Sequence, residues 1–221
     1  MVSNQPLRNS TSESDKKALA DKPGQLAIFA YNYLKESQGF RNRKDIFILD
    51  LGCGYGLDAV FLARNLPCHI LGLDNSQAAI DIARRSLGSE LEKRVELLCY
   101  DFSDVSDKYD VIFVSNLYHL LKTDEMAKLR ETVKRCLKLD GVFFLSTFSV
   151  RDPQYFGKSG NLSGETSSFP DEKCLHFFTR DELEKDFEFL NISALYELDN
   201  YQSHINPCFN HISWVLMGRL K

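Results

Sequence analysis

Asp45-Ile-Phe-Ile-Leu-Asp50-Leu-Gly-Cys-Gly-Tyr-Gly56 decides the architecture of this 221-residue chain. Its first half is an apolar run ending in an acid, which suits a strand buried on both faces, as in parallel sheets. Its second half holds Gly52, Gly54 and Gly56, and Leu57 to Asn65 then reads as a helix. Such a strand-turn-helix passage brings bare backbone to one place. Glycine has no Cβ, so a ligand approaches the main chain closely, and the free N–H groups of the helix start favour an anionic or carboxylate group.

The same rhythm continues outward. His69 to Asp74 is a second buried strand ending in an acid, followed by a helix capped at Asn75 or Ser76, with apolar Ile80, Ala83 and Leu87, and a stop at Gly88. Val95 to Tyr100 and Asp110 to Ser115 read as the third and fourth strands. Thr123 starts a helix with the stripe Met126, Leu129, Val133 and Leu137. Asp140-Gly141 reads as a turn into a fifth strand, Val142 to Ser146. Upstream, Gln25 to Gln38 has helical spacing, and residues 1 to about 22 form a polar tail. Downstream, Ser149 to His176 breaks the rhythm with three glycines and two prolines. Thr179-Arg-Asp-Glu182 fits a capping box. Phe189 to Leu198 and His211 to Gly218 read as two closing strands. Alternating strands and helices predict an α/β fold: a Rossmann-like seven-stranded mixed sheet, helices on both faces, and an antiparallel last strand. Ligands on such sheets bind beyond the carboxyl ends of the strands.

That rule points to Asp50–Gly56, Asp74, Asp101 and Ser115–His119. Asp74 stands eighteen residues after Gly56 at a strand end, where an acid accepts the hydroxyls of a ribose. A nicotinamide fingerprint reads GxGxxG or GxGxxA, whereas this chain has GxGxG with Leu57 in the sixth position and Asp50 two residues before the first glycine. Purely structural roles also fit: glycines for a tight turn, Asp74 or Asp101 as helix caps, Asp104 and Asp107 as solvated turn residues.

Ile48-Leu-Asp-Leu-Gly-Cys-Gly-Tyr-Gly56 resembles the first motif of class I S-adenosylmethionine-dependent methyltransferases. The resemblance runs on through Asp74, Tyr100-Asp101-Phe102 and the Leu137-Lys-Leu-Asp-Gly141 turn, covering roughly Asp45 to Phe148. It implies that S-adenosyl-L-methionine is the cofactor. Gly52, Gly54 and the backbone of Cys53 and Tyr55 would meet its methionine part. Asp50 would orient the loop and help hold the amino group, Asp74 would bind the ribose hydroxyls with Asn75 beside the adenine, Asp101 would accept from the adenine amino group, and Phe102 would donate its backbone N–H or line the ring. Asn116 would sit near the transferring methyl. It further implies a layout of residues 1–44 as tail and helix, and 45–221 as the cofactor-binding domain with a lid-like insertion at 149–176. A non-catalytic cofactor-binding module and a nicotinamide-dependent oxidoreductase are the competing functions.

Composition narrows the partners. With 27 basic and 31 acidic residues the chain carries a formal charge of −4, with no basic surplus to collect phosphates. After the fourth strand comes Ser115-Asn-Leu-Tyr-His119, without the Pro-Pro of nucleic-acid amino methyltransferases. Six cysteines show no CxxC and no zinc-finger spacing, which argues for reduced, buried thiols, no metal and a cytoplasmic location. The start has no apolar leader, and no apolar run approaches a membrane span.

These features favour a small-molecule acceptor, with no nucleic acid and no membrane, for a monomer or homodimer. The Phe148–Gly157 stretch and the His176-Phe-Phe-Thr179 run are loosely similar to bacterial tellurite-resistance and thiol-type methyltransferases. A thiolate or metalloid oxyanion needs no general base, whereas an alcohol or ammonium does. Tyr118, His119 and His176 are the first candidates for catalysis, with Tyr155 and His211 behind them. His69 and His204 read as structural or surface residues, and Trp214 as core.

Overall fold

The computed structural model describes residues 22–153, 175–199 and 211–221. Helix α1 (Gln25–Glu36) precedes strand β1 (Ile46–Leu51). Then follow α2 (Leu57–Asn65), β2 (Cys68–Asp74), α3 (Gln77–Ser86) and β3 (Val95–Cys99). After them come β4 (Tyr109–Ser115), α4 (Thr123–Cys136) and β5 (Leu137–Phe148). Helix α5 (Arg180–Asp186), β6 (Leu190–Asp199) and β7 (Ile212–Leu220) close the chain.

The seven strands lie in the order β3-β2-β1-β4-β5-β7-β6. β1 to β5 pair in parallel, and β7 enters antiparallel between β5 and β6. The strand order reverses between β1 and β4, so the crevice beyond their carboxyl ends is the place for a ligand.

Alternation within the strands builds two cores. Ile46 and Ile48, Val111 and Phe113, and Val142 and Phe144 join the core under α1, α2 and α3. Leu49 and Leu51, Ile112 and Val114, and Phe143 and Leu145 face α4 and α5. This is the period of two that turns successive side chains to opposite faces, and it explains why these strands read as unbroken apolar runs. Among the described residues the second face has an uncovered end. The β3–β4 connection carries one 3₁₀ turn, Phe102–Asp104, rather than a helix. Phe47 therefore remains 45% exposed, stacked on His69 with centroids 5.3 Å apart.

Two expectations need correction. Asp140-Gly141 does not end one element and begin another. β5 starts at Leu137, and Asp140-Gly141 lies inside a bulge where the pairing jumps from Tyr109–Leu137 to Val111–Val142. Cys99 is exposed at the end of β3, whereas Cys68 and Cys136 are buried; all three are free thiols. The inserted loop, with Tyr155, and also His204, Cys174 and Cys208, fall largely or wholly on residues outside the described set. The α5 box is as expected: the Glu182 N–H donates to Thr179 Oγ1 at 3.3 Å, and the Thr179 N–H to Glu182 Oε2 at 2.7 Å. Among the described residues no helix is long and apolar enough to cross a membrane.

Candidate active site

The glycine turn after β1 is tied to β2. The N–H groups of Gly52 and Cys53 both donate to the Leu73 carbonyl, at 2.8 and 2.9 Å. Gly52 sits at φ +76°, and a Cβ there would lie 2.9 Å from Leu117, so both backbone and packing demand glycine. Gly54, at φ +51°, differs: a Cβ would meet nothing within 4 Å. Its bare backbone faces open space, and its N–H donates to Asp74 Oδ2 at 2.9 Å.

Asp74 therefore joins two segments. Its other oxygen accepts the Ser76 N–H at 2.8 Å, while Ser76 itself caps α3 through the Ala79 N–H at 3.2 Å. The helix cap is Ser76, and Asp74 is free for another task. Each carboxylate oxygen keeps a lone pair for a ligand hydroxyl.

Asp50 is 2% exposed, and its Oδ2 has no partner among the described residues. Burial, reinforced by Asp58 and Asp74, pushes its carboxyl well above the ordinary carboxylate range. Asp58, in the first turn of α2, accepts the Gly24 N–H at 2.6 Å, and burial raises its carboxyl too. Three acids thus converge on one turn. Lys22 borders the cavity of Asp50 and Asp58, yet no ion pair to any of the three forms among the described residues, and the cluster disfavours three negative charges without a further positive group.

Two cavities flank this turn and share Gly52. One, of about 330 Å³, is bordered by Asp74, Asn75, Tyr100, Asp101, Phe102 and Leu117. The other, of about 220 Å³, is bordered by Asp50, Cys53, Tyr55, Asp58, Ser115 and Asn116. Every expected cofactor residue except Gly54 lines one of them, and Gly54 holds Asp74 in place. Asp101 caps the 3₁₀ turn through the Ser103 N–H at 2.8 Å, which lowers its carboxyl. Asn116 has φ +54°, an uncommon conformation outside glycine, at the β4 end of the crevice. A larger groove of about 720 Å³ runs along β3 and the uncovered face by Phe47, and none of these acids reaches it.

The catalytic candidates divide. Tyr118 is removed from the site: it is fully buried, stacked on Phe178, and its hydroxyl donates to Asp186 Oδ2 at 2.7 Å while accepting from Arg130 at 2.6 Å. Its 3₁₀ turn, Tyr118–Leu120, rotates it into the α4–α5 core. Tyr118→Phe should cost about 1–2 kcal/mol, a single buried hydrogen-bonding hydroxyl, lowering Tm by roughly 2–8 °C without changing ligand affinity. Differential scanning calorimetry checks the first, titration calorimetry the second. His176 pairs with Glu182 at 3.3 Å on α5 and lines neither cavity. His119 is 3% exposed and packed on Phe148.

Sequence reading passed over Asp58, an acid indistinguishable from a helix-start residue, and Glu125 and Lys128 of α4, which border the larger of the two cavities. Among the described residues no group of three His, Cys, Asp or Glu side chains has the geometry to hold a metal ion.

Residues 48–141 match the family model described as a methyltransferase domain. The ribosomal protein L11 methyltransferase of Dictyoglomus turgidum is 31% identical over 116 residues, 52% of this chain and 34% of that protein. The chain spans less than half the length of the curated relatives it matches. Among solved structures, the Burkholderia thailandensis 1,6-didemethyltoxoflavin-N1-methyltransferase, with bound 1,6-didemethyltoxoflavin and S-adenosylhomocysteine, superposes with a TM-score of 0.69 at 15% identity, over 94% of this chain and 83% of that one. TehB from Haemophilus influenzae gives 0.64 at 14% identity, over 88% of this chain and 61% of that one. At such identities the likeness is one of fold.

Proposed function

With the methyltransferase domain at residues 48–141 as premise, we propose that this chain transfers the methyl group of S-adenosyl-L-methionine to a small-molecule acceptor. The observation that carries the reading is the buried Asp50 carboxylate, whose Oδ2 has no partner among the described residues, beside Asp58 in a cavity joined at Gly52 to one containing Asp74 and Asp101. An amino-acid ammonium supplies a partner for that oxygen and a counter-charge to the pair of acids. A ribose diol matches the remaining lone pairs of Asp74, and a flat base fits between Asn75, Phe102 and Leu117. The residues fit S-adenosylmethionine at each of its three parts.

When bound, the cofactor supplies a sulfonium methyl, already an electrophile. The chain's own work is positioning. Asp50 and the Gly52–Gly54 backbone anchor the amino-acid end, Asp74 anchors the ribose, and Asn116 marks the edge beyond which an acceptor approaches. Alignment of an acceptor for in-line attack supplies about 7–11 kcal/mol in favourable cases. The acidic balance of the chain and the relative that methylates a small heterocycle support a small acceptor. The thiol or metalloid acceptor has the TehB likeness alone behind it. The free thiols among the described residues suit a cytoplasmic setting.

Saturating S-adenosylhomocysteine, at 100 times its Kd, is expected to stabilise the protein by about 2.7 kcal/mol, or roughly 5–10 °C in Tm. NAD is expected to give no shift. Stabilisation by NAD alone in a thermal scan would sink the reading.

A further inference from the structure

Beyond Asn116, away from the glycine turn, lies a second group of side chains. A cavity of about 30 Å³ shares Ser115 and Asn116 with the smaller cavity of the crevice and is bordered on β7 by Ser213, two residues from His211. There the ring of Phe148, the last residue of β5, lies nearly parallel to two imidazoles: His119, with centroids 3.8 Å apart, and His211, 4.6 Å apart. Ser213 stands opposite Phe148 in the β5–β7 pairing.

His211 has a fixed partner. Its Nδ1 lies 3.0 Å from Asp152 Oδ2, and the same oxygen accepts the Ile212 N–H at 2.9 Å. Asp152 is fully buried, and the His211 side chain is 25% exposed. A buried carboxylate that accepts from Nδ1–H fixes the imidazole tautomer and leaves the lone pair on Nε2. His119 differs. It is deeply buried, its Nδ1 has no partner among the described residues, and burial, with His211 nearby, pulls it down to about 3. It stays neutral and puts no competing cation beside His211. Among the described residues, Arg151 and Glu197 beside the group pair at 2.7 Å, with Glu197 also accepting from Ser149.

Resting on the methyltransferase reading, we propose that His211, oriented by Asp152, takes the proton of the methyl acceptor, and that the acceptor is a small molecule bearing an N–H or O–H group. The acceptor's nitrogen or oxygen forms the new bond to the methyl carbon. The carbon–sulfur bond breaks, and its electron pair stays on sulfur as a neutral thioether. The proton leaving the acceptor passes to His211 Nε2, whose imidazolium is paired with Asp152 and later loses the proton to water. His211 is the catalytic residue and Asp152 a positioning residue. A thiolate or oxyanion acceptor has no proton to give and no use for the pair.

The test uses the full chain, free and saturated with S-adenosylhomocysteine. Long-range ¹H–¹⁵N correlation spectra should show His211 protonated at Nδ1 and bare at Nε2, a bias that Asp152→Asn removes. Methyl transfer from S-adenosylmethionine is then measured to a phenol, an N–H heterocycle, 2-mercaptoethanol and tellurite. His211→Gln should slow transfer to the phenol or heterocycle by about 10²- to 10⁴-fold, with KM and S-adenosylhomocysteine affinity changed less than about threefold, within the scatter of a remote substitution. Asp152→Asn should also lower kcat and shift its pH profile; if it lowers Tm severely, His211→Gln carries the test. A wild-type His211 protonated at Nε2 overturns the proposal, as does transfer confined to the thiol or tellurite and untouched by His211→Gln. Failure of the wild type to bind S-adenosylhomocysteine would instead overturn the methyltransferase reading, so the two failures are distinguishable.

Discussion

Asp50→Asn is expected to stabilise the ligand-free protein at neutral pH while weakening S-adenosylhomocysteine by on the order of 10²–10⁴-fold, the size of breaking a buried charge pair worth about 3–5 kcal/mol. The two effects have one origin. Asp50 is buried with Oδ2 unpartnered, and Asp58 and Asp74 add like charge. Removing that charge relieves the repulsion among the acids when no ligand is bound, and the same charge is what an incoming ammonium pairs with. The pH dependence follows from the raised carboxyl. A group whose folded pKa exceeds its unfolded value contributes stability that is fully present below the ordinary carboxylate pKa, about 4, and that is lost as pH rises through the raised value. Asp58 adds in the same direction. The ligand-free wild type should therefore lose stability across that window, and Asp50→Asn should flatten the loss. Urea unfolding at a series of pH values, with titration calorimetry for affinity, decides it. Equal Tm and equal affinity in the variant would show that Asp50 carries no charge worth relieving.

Asp74→Ala is expected to weaken S-adenosylhomocysteine by about 100-fold or more, because hydrogen bonds to a charged group contribute roughly 1.5–3 kcal/mol each. Two losses combine. The ribose loses its ionised acceptor, and the turn loses the clamp from Gly54 N–H to Oδ2, so the backbone facing the cofactor is no longer held. Asp74→Asn separates them: it keeps an oxygen for one backbone N–H but removes the charge. An intermediate affinity for the amide is expected. If Asp74→Ala binds like the wild type by calorimetry, the residue serves only the connection to Ser76.

The residues around the glycine-turn crevice were legible because they are consecutive or stand at strand ends. A chain that reverses from β1 to α2 through Gly52, Gly54 and Gly56 advertises the turn, and Asp74 and Asp101 follow strands whose ends are visible as apolar runs stop. Tyr118 and His119 show where this reading ceases. Both follow β4, two and three residues after Asn116, and a linear sequence offers both as candidates. The 3₁₀ turn after Asn116 separates them, sending the tyrosine to Arg130 and Asp186 and the histidine against Phe148.

By itself the sequence determined the strand-helix alternation, the parallel sheet with its reversed last strand, the glycine turn and the acids that follow it, because each is written in local periodicity or in a short motif. Only the tertiary structure decided which acids share a charge and which histidine has a partner. Asp50, Asp58 and Asp74 lie within 24 residues, yet their mutual repulsion depends on burial in one crevice. Asp152 and His211 are 59 residues apart and meet because β7 inserts antiparallel beside β5. Desolvation and long-range pairing are properties of the packed sheet, and no spacing along the chain encodes them.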